Sequence, residues 1–259
     1  MISIYGSIID FDTFTNKHQL AGLKRKIIEI LYSSREVYRY DSENQLLFEL
    51  SLRKNIIDAS LALYRSRFSF KVFRKSVCNE DYWIRTEEGG FLLKDNAAPY
   101  DAIRDIYTNS FRYGTECSTA IVIIYYGALA NLFPSGLFND FFPKIYLMNW
   151  QHLDNRLGVT HQRKVIDYLP GDCRYFKNPD VDPLTPEWQG ENAIDLGDGT
   201  YYGHGIGIKT VDGIIEALNR HRKEGSETPA YLVDSATRLN MRYLANVYNS
   251  TVLPVQAGI

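Results

Sequence analysis

The residues best suited to chemistry lie in the run Gly114-Thr115-Glu116-Cys117-Ser118-Thr119-Ala120, which continues as Ile121-Val122-Ile123-Ile124-Tyr125-Tyr126. Ser, Thr and Glu crowd its start, as helix N-termini prefer. The β-branched stretch Ile121 to Ile124 would also fit a buried strand. The length of the run and its N-terminal signals favour a buried helix. Cys117 then falls in the first turn, where unpaired N–H groups and the helix dipole favour a thiolate over a thiol. A thiolate is the form that attacks a carbonyl carbon. Cysteine is also among the most buried residue types, and this segment alone favours a small, inert, packed side chain over a nucleophile.

A nucleophile needs a partner that moves protons. Glu191 and His204 are 13 positions apart, with the Gly197-Asp198-Gly199 turn between them. On a hairpin, both approach one place from adjacent strands. His204 sits between Gly203 and Gly205, which allows another group to come close. A cysteine followed by a distant histidine on a strand is the order of papain-like enzymes. Residue types alone leave open a core histidine paired with a neighbour and a solvated glutamate. The Gly203–Gly207 run lacks the full spacing of a dinucleotide fingerprint. His18, His152, His161 and His221 show no metal-ligand spacing, and there is no CxxC pair, so no metal site is indicated.

The elements around these residues follow from pattern. Leu20, Leu23, Ile27, Ile30 and Leu31 recur at helical spacing. Ser42 with Gln45 reads as a capping box for a helix carrying Leu46, Leu50, Lys54, Ile57 and Leu61, with Lys54 snorkelling. Tyr82–Ile84 and Phe91–Leu93 flank a Glu87–Gly90 turn and predict a hairpin. Ala98–Ser110 predicts a helix with Ala102, Ile103 and Ile106 inward. Lys144–Met148, Arg174–Phe176, Asn192–Leu196 and Tyr201–Ile208 predict strands of a small, largely antiparallel sheet. Trp188 lies on a loop, and Thr210 caps a helix holding Ile214, Ile215 and Leu218. The fold class is α+β: one domain over 1–245, helices followed by a mostly antiparallel sheet, with 246–259 a loose C-terminal tail.

Composition narrows the partners. The chain has 259 residues, 45% hydrophobic and 23% charged, which excludes a disordered or fibrous protein. The net charge of -2 gives no bulk basic field, so no nucleic-acid partner is expected. Arg65, Arg67, Lys71, Arg74 and Lys75 do interleave with Phe68, Phe70 and Phe73, a pattern that can bind single strands. A solvated helix end or a substrate-facing loop accounts for it better. Three widely spaced cysteines, Cys78, Cys117 and Cys173, suggest a reducing compartment. Met1 to Asp10 show no basic segment followed by an apolar run, so no secretory signal is expected, and no apolar run reaches the ~20 residues of a membrane span.

Five stretches in order resemble the bacillary protein-glutamine γ-glutamyltransferases, the small transglutaminases of spore-forming bacteria. They are Ala102–Ile106, Glu116–Ala120 with the following Ile-Val-Ile-Ile-Tyr-Tyr run, Gly171–Pro179, Trp188–Asn192 and Gly203–Gly205. The resemblance covers about Tyr40 to Leu244. It implies a papain-like, NlpC-type core that joins a protein Gln carboxamide to a protein Lys amine, releasing ammonia through a thioester. The family nucleophile falls on Cys117, its principal acidic partner on Glu191, a partly redundant one on Glu116, and its histidine on His204. Aromatic residues lining the family's tunnel fall on Phe70, Trp150 and Trp188.

The resemblance further implies no cofactor and no calcium. The expected partners are spore coat proteins presenting Gln and Lys, with no membrane partner. A monomer acting in the mother-cell cytoplasm and the spore coat is expected. A papain-like cysteine peptidase or amidase is the alternative, and a non-catalytic coat or binding protein a more distant one.

Overall fold

The computed structural model describes residues 1–256. Strand β1 (Ile2–Ile4) pairs antiparallel with β2 (Ser7–Ile8) and in parallel with β3 (Tyr38–Tyr40). Between β2 and β3 come α1 (Phe11–Lys17) and α2 (Gly22–Ser33). Phe14, Ile27, Ile28 and Leu31 from these helices join Ile2, Ile4 and Leu46 in a small N-terminal core.

Helix α3 (Glu43–Arg65) starts as the Ser42–Gln45 spacing predicts. The Gln45 N–H donates to the Ser42 hydroxyl at 3.1 Å, and the Asp41 N–H donates to the Gln45 side chain at 2.8 Å. Lys54 lies in solvent and pairs with Asp58. Its neighbour Arg53 is only 2% exposed. Arg53 donates to Glu49 at 2.8 Å and to Asp172 at 2.9 Å, and Asp172 also accepts from Arg238. A planar guanidinium can bridge two carboxylates in this way, and the chain of charges ties α3 to distant strands.

After α3 come β4 (Ser69–Phe70) and the expected hairpin of β5 (Trp83–Arg85) with β6 (Phe91–Leu93). Helix α4 (Pro99–Thr108) has Pro99 in its first turn and buries Ala102, Ile103 and Ile106. Strand β7 (Gly114–Thr115) pairs in parallel with β4 and leads directly into α5 (Cys117–Ala130). Every residue of α5 from Ser118 to Ala130 is buried, which explains the absence of a polar face in its sequence. After α6 (Ser135–Phe141), strand β8 (Tyr146–Leu147) pairs with β6. The strand expected at Lys144–Met148 therefore belongs to a separate three-stranded sheet with β5 and β6.

The main sheet contains β9 (Thr160–Arg163), β10 (Cys173–Lys177), β11 (Gly190–Asp195), β12 (Thr200–Gly203), β13 (Gly207–Thr210), β14 (Tyr231–Leu232) and β15 (Ser235–Arg238). Its order is β13-β12-β11-β10-β15-β9, with β14 also on β10, and all these pairs are antiparallel. The stretch Tyr201–Ile208, expected as one strand, is two. The chain reverses between β12 and β13, with Gly205 at φ +108° and Gly207 at φ +85°. Helix α7 (Val211–Asn219) is capped by the Thr210 hydroxyl, as expected.

The expected boundary after residue 245 falls inside α8 (Met241–Gln256), and 246–256 is not a loose tail. The helix is held past that point by tertiary contacts. Asn246 accepts from Gln45 at 3.3 Å, and the Tyr248 ring lies 5.4 Å from Phe48 and 5.9 Å from Phe133. Residues 257–259 of that expected tail lie outside the described residues. Helix α5 packs against α3, α4 and β11, which sets it beside the main sheet.

Candidate active site

Cys117 is the first residue of α5, and Glu116 is its N-cap. The Glu116 carboxylate accepts four hydrogen bonds, from the backbone N–H and hydroxyl of Ser118 and of Thr119, at 2.6–2.8 Å. This corrects the expected charge state of the thiol. The helix-start N–H groups of Ser118 and Thr119 are taken by Glu116, so they neither bias Cys117 toward thiolate nor remain open to an oxyanion. Burial pushes the Cys117 thiol well above its ordinary range, and the charges of Glu191 and Glu116 push it further. Asn192 opposes this: its backbone N–H and side-chain amide both favour the thiolate. Its Nδ2 lies 3.6 Å from Cys117 Sγ.

Glu191 follows Gly190 at the start of β11 and is 2% exposed. Its Oε1 has no hydrogen-bond partner. Burial raises its carboxyl well above the usual range, the nearby charge of Glu116 adds to this, and the His204 backbone N–H works against it. The β11–β12 register pairs Ala193 with Gly203, so the hairpin expected between Glu191 and His204 is present.

His204 follows β12 and is buried. Its Nε2 lies 3.2 Å from the Ser69 carbonyl and its Nδ1 3.0 Å from the Tyr202 hydroxyl. A carbonyl only accepts, so Nε2 carries the proton and Nδ1 accepts from Tyr202. Burial lowers its pKa to about 4, against the carbonyls of Ser69 and Thr115, which favour the charged form. Both ring nitrogens are thus engaged by groups other than Cys117. The structure brings Cys117, Glu191 and Glu116 within reach of one another's charge, and it ties His204 to Ser69 of β4.

Two of the three aromatic candidates meet. The rings of Phe70 and Trp188 stack at 5.8 Å and 27°. Gly205 makes room for this wall, since a Cβ there would come within 2.7 Å of the Phe70 ring. Trp150 sits in the short turn Trp150–His152 and packs against the main core. Among the described residues, no ring pairing joins it to Phe70 or Trp188. A cleft of about 570 Å³ lined by Asn79, Asp101, Asp105 and Arg112 includes none of the candidate residues. Among the described residues, no group of three or more His, Cys, Asp or Glu side chains is arranged to hold a metal ion.

Sequence reasoning missed Asn192. It is adjacent to Glu191 within the Trp188–Asn192 stretch, but strand alternation assigns neighbours to opposite faces. Nothing in the pattern therefore paired both with one thiol.

A family model for protein-glutamine gamma-glutamyltransferase matches residues 1–248. The chain belongs to this family. A protein-glutamine gamma-glutamyltransferase of Bacillus mycoides (strain KBAB4) is 43% identical over 243 residues, covering 93% of this chain and 87% of the relative. One from Bacillus cereus (strain AH820) is 42% identical over the same lengths. A solved structure of a transglutaminase from Geobacillus stearothermophilus, without its C-terminal extension, superposes with a TM-score of 0.77 at 50% identity. It covers 80% of this chain and 98% of that one. The mixed helix and sheet architecture is thus that of a bacterial transglutaminase. The enzyme is an acyltransferase acting on protein Gln and Lys side chains, and the peptidase and binding-protein readings give way to this one.

Proposed function

We propose that Cys117 and Glu191 are the reacting pair of the transglutaminase, with Asn192 as the donor beside the sulfur. The observation that carries this is a half-buried thiol that feels the charge of Glu191, a buried carboxyl whose Oε1 has no partner, with the Asn192 amide nitrogen 3.6 Å from the sulfur. A primary amide is a poor electrophile, so the site must supply both a thiolate and an acid. In the active form the pair holds one proton, on Glu191. The Cys117 sulfur bonds to the Gln carbonyl carbon, and the carbonyl oxygen takes up negative charge near the Asn192 amide. The C–N bond then breaks, the Glu191 proton passes to the leaving nitrogen, and ammonia departs.

A thioester and a Glu191 carboxylate remain. A neutral Lys amine attacks the thioester carbon, gives a proton to Glu191, and displaces the sulfur. The isopeptide bond is complete and the pair again holds one proton. Water competes at the thioester, and Phe70 and Trp188 form the wall that disfavours it. Glu116 serves as cap and as a fixed charge that keeps Glu191 protonated enough to act as an acid. His204 holds β4, and with it Phe70, in place.

The protein substrates are inferred to be spore coat proteins, with the enzyme acting as a monomer in the mother cell and at the coat. This rests on the resemblance to the bacillary enzymes. No described helix is long and apolar enough to cross a membrane. The test of the site is incorporation of a fluorescent primary amine into a Gln peptide, without added metal and with a chelator present. Cys117→Ala is expected to abolish both amine incorporation and ammonia release, and Cys78→Ala and Cys173→Ala to keep most activity. Turnover by Cys117→Ala would overturn the assignment.

A further inference from the structure

Three rings from three separate segments form one stack beside the candidate site. Phe70 comes from β4, Trp188 from the turn Pro186–Trp188, and His221 from just beyond α7. Trp188 and Phe70 are 5.8 Å apart at 27°, whereas Trp188 and His221 are 4.2 Å apart at 4°. The imidazole lies flat on the indole, at a closer spacing than the Phe70 ring.

Backbone ties bring His221 to that position. The buried Asn178 side chain donates to the carbonyls of both Trp188 and Leu218, each at 3.1 Å. The Asp182 N–H donates to the His221 carbonyl at 2.8 Å. The loop that carries Trp188 is therefore fastened at two points, to the end of α7 and to His221 just beyond it. An indole stacked on a second fixed ring loses freedom to tilt. His221 is not among the groups that shift Cys117 or Glu191.

We propose that His221 is a positioning residue: it backs the Trp188 indole and thereby sets how the thioester divides between amine and water. This rests on the reading of Phe70 and Trp188 as the wall of the site. Without the imidazole, the indole tilts into the vacated space and the passage widens on its outer side.

The test compares His221→Ala, His221→Leu, His221→Phe, Trp188→Ala and the double variant Trp188→Ala/His221→Ala. The readouts are the ratio of Gln deamidation to isopeptide formation at fixed amine, the KM for the amine, and the melting temperature. His221→Ala and His221→Leu are expected to raise the ratio roughly two- to tenfold, the range for loss of an aromatic pair. His221→Phe restores it, because a flat ring is what the indole requires. Labelling of Cys117 by iodoacetamide stays unchanged. In the Trp188→Ala background, His221→Ala adds nothing further.

An unshifted ratio in His221→Ala, with a shifted one in Trp188→Ala, overturns the proposal and leaves the wall reading standing. A full-sized His221 effect in the Trp188→Ala background also overturns it, as does failure of a stable His221→Phe to rescue. An unshifted ratio in Trp188→Ala removes the wall reading and this proposal together.

Discussion

Glu191 and Gly203 are in contact across the β11–β12 pair. A Cβ at position 203 would lie 2.8 Å from Glu191 Cγ and 2.9 Å from its Oε1. The glycine is what allows the carboxyl to stand at this point of the sheet. Gly203→Ala is therefore expected to displace Glu191, to lower isopeptide formation, and to cost about 1–3 kcal/mol of stability through overpacking. Activity and melting temperature of the purified variant check this. Wild-type activity would mean that Glu191 can do its work from elsewhere.

Glu191 and Glu116 are expected to separate by kinetics and by pH profile. Glu191→Gln removes the proton carrier and is expected to lower kcat about 10²–10⁴-fold. Glu116→Gln weakens a helix cap, at about 0.5–2 kcal/mol of stability, and loses less activity. Glu116 raises both Cys117 and Glu191. As pH rises through the pair's apparent pKa, the first of its protons leaves, the one-proton form appears and the rate rises. Removing the Glu116 charge lowers both groups, so the acid limb moves to lower pH. A limb that stays put in Glu116→Gln, or a greater loss there than in Glu191→Gln, contradicts these roles.

Part of the site is legible in the sequence because its signals are local. Ser42 with Gln45, Thr210 before its helix, and the Glu116–Thr119 start of α5 are local signals, and each marks its helix in the structure. The Glu191–His204 hairpin was readable because its turn residues lie between the two. Features that depend on distant partners were not. The burial of Arg53 depends on Asp172, which lies far along the chain. Strand β9 is exposed at every residue, so it has no alternation to detect. The loss of thiolate bias at Cys117 follows from which carboxylate takes the helix N–H groups, and spacing alone cannot say that.

Arg53 and Lys54 are adjacent and should differ sharply in stability effect. Arg53→Ala leaves Glu49 and Asp172 buried without their shared cation, and a loss of about 3–5 kcal/mol is expected. Lys54→Ala removes an exposed pair on one helix face and is expected to cost about 0.5 kcal/mol or less. Urea unfolding of the two variants measures the contrast. Equal midpoints would show that the buried charges contribute no more than a surface pair.

His204 predicts how stability responds to acid. Its folded pKa is lowered to about 4 from an ordinary 6.5. A depressed value means that the neutral folded form contributes stability fully above pH 6.5 and loses it as pH falls toward 4. The loss is on the order of 3 kcal/mol for a buried group. Unfolding free energies measured from pH 7 to pH 4 should fall over this window in the wild type and fall less in His204→Gln. An identical pH dependence in both would place the titrating group elsewhere.

The central claim is that a protein Gln becomes a thioester on Cys117. The direct measurement is acid-quenched peptide mapping of the wild-type enzyme at short times after mixing with a Gln peptide in the absence of an amine acceptor, so that only water can discharge the thioester. The account predicts an adduct on the Cys117 peptide equal to the Gln peptide less one ammonia, discharged on adding a primary amine and absent in Cys117→Ala. An adduct on Cys78 or Cys173 instead, or turnover without any adduct on Cys117, would contradict it.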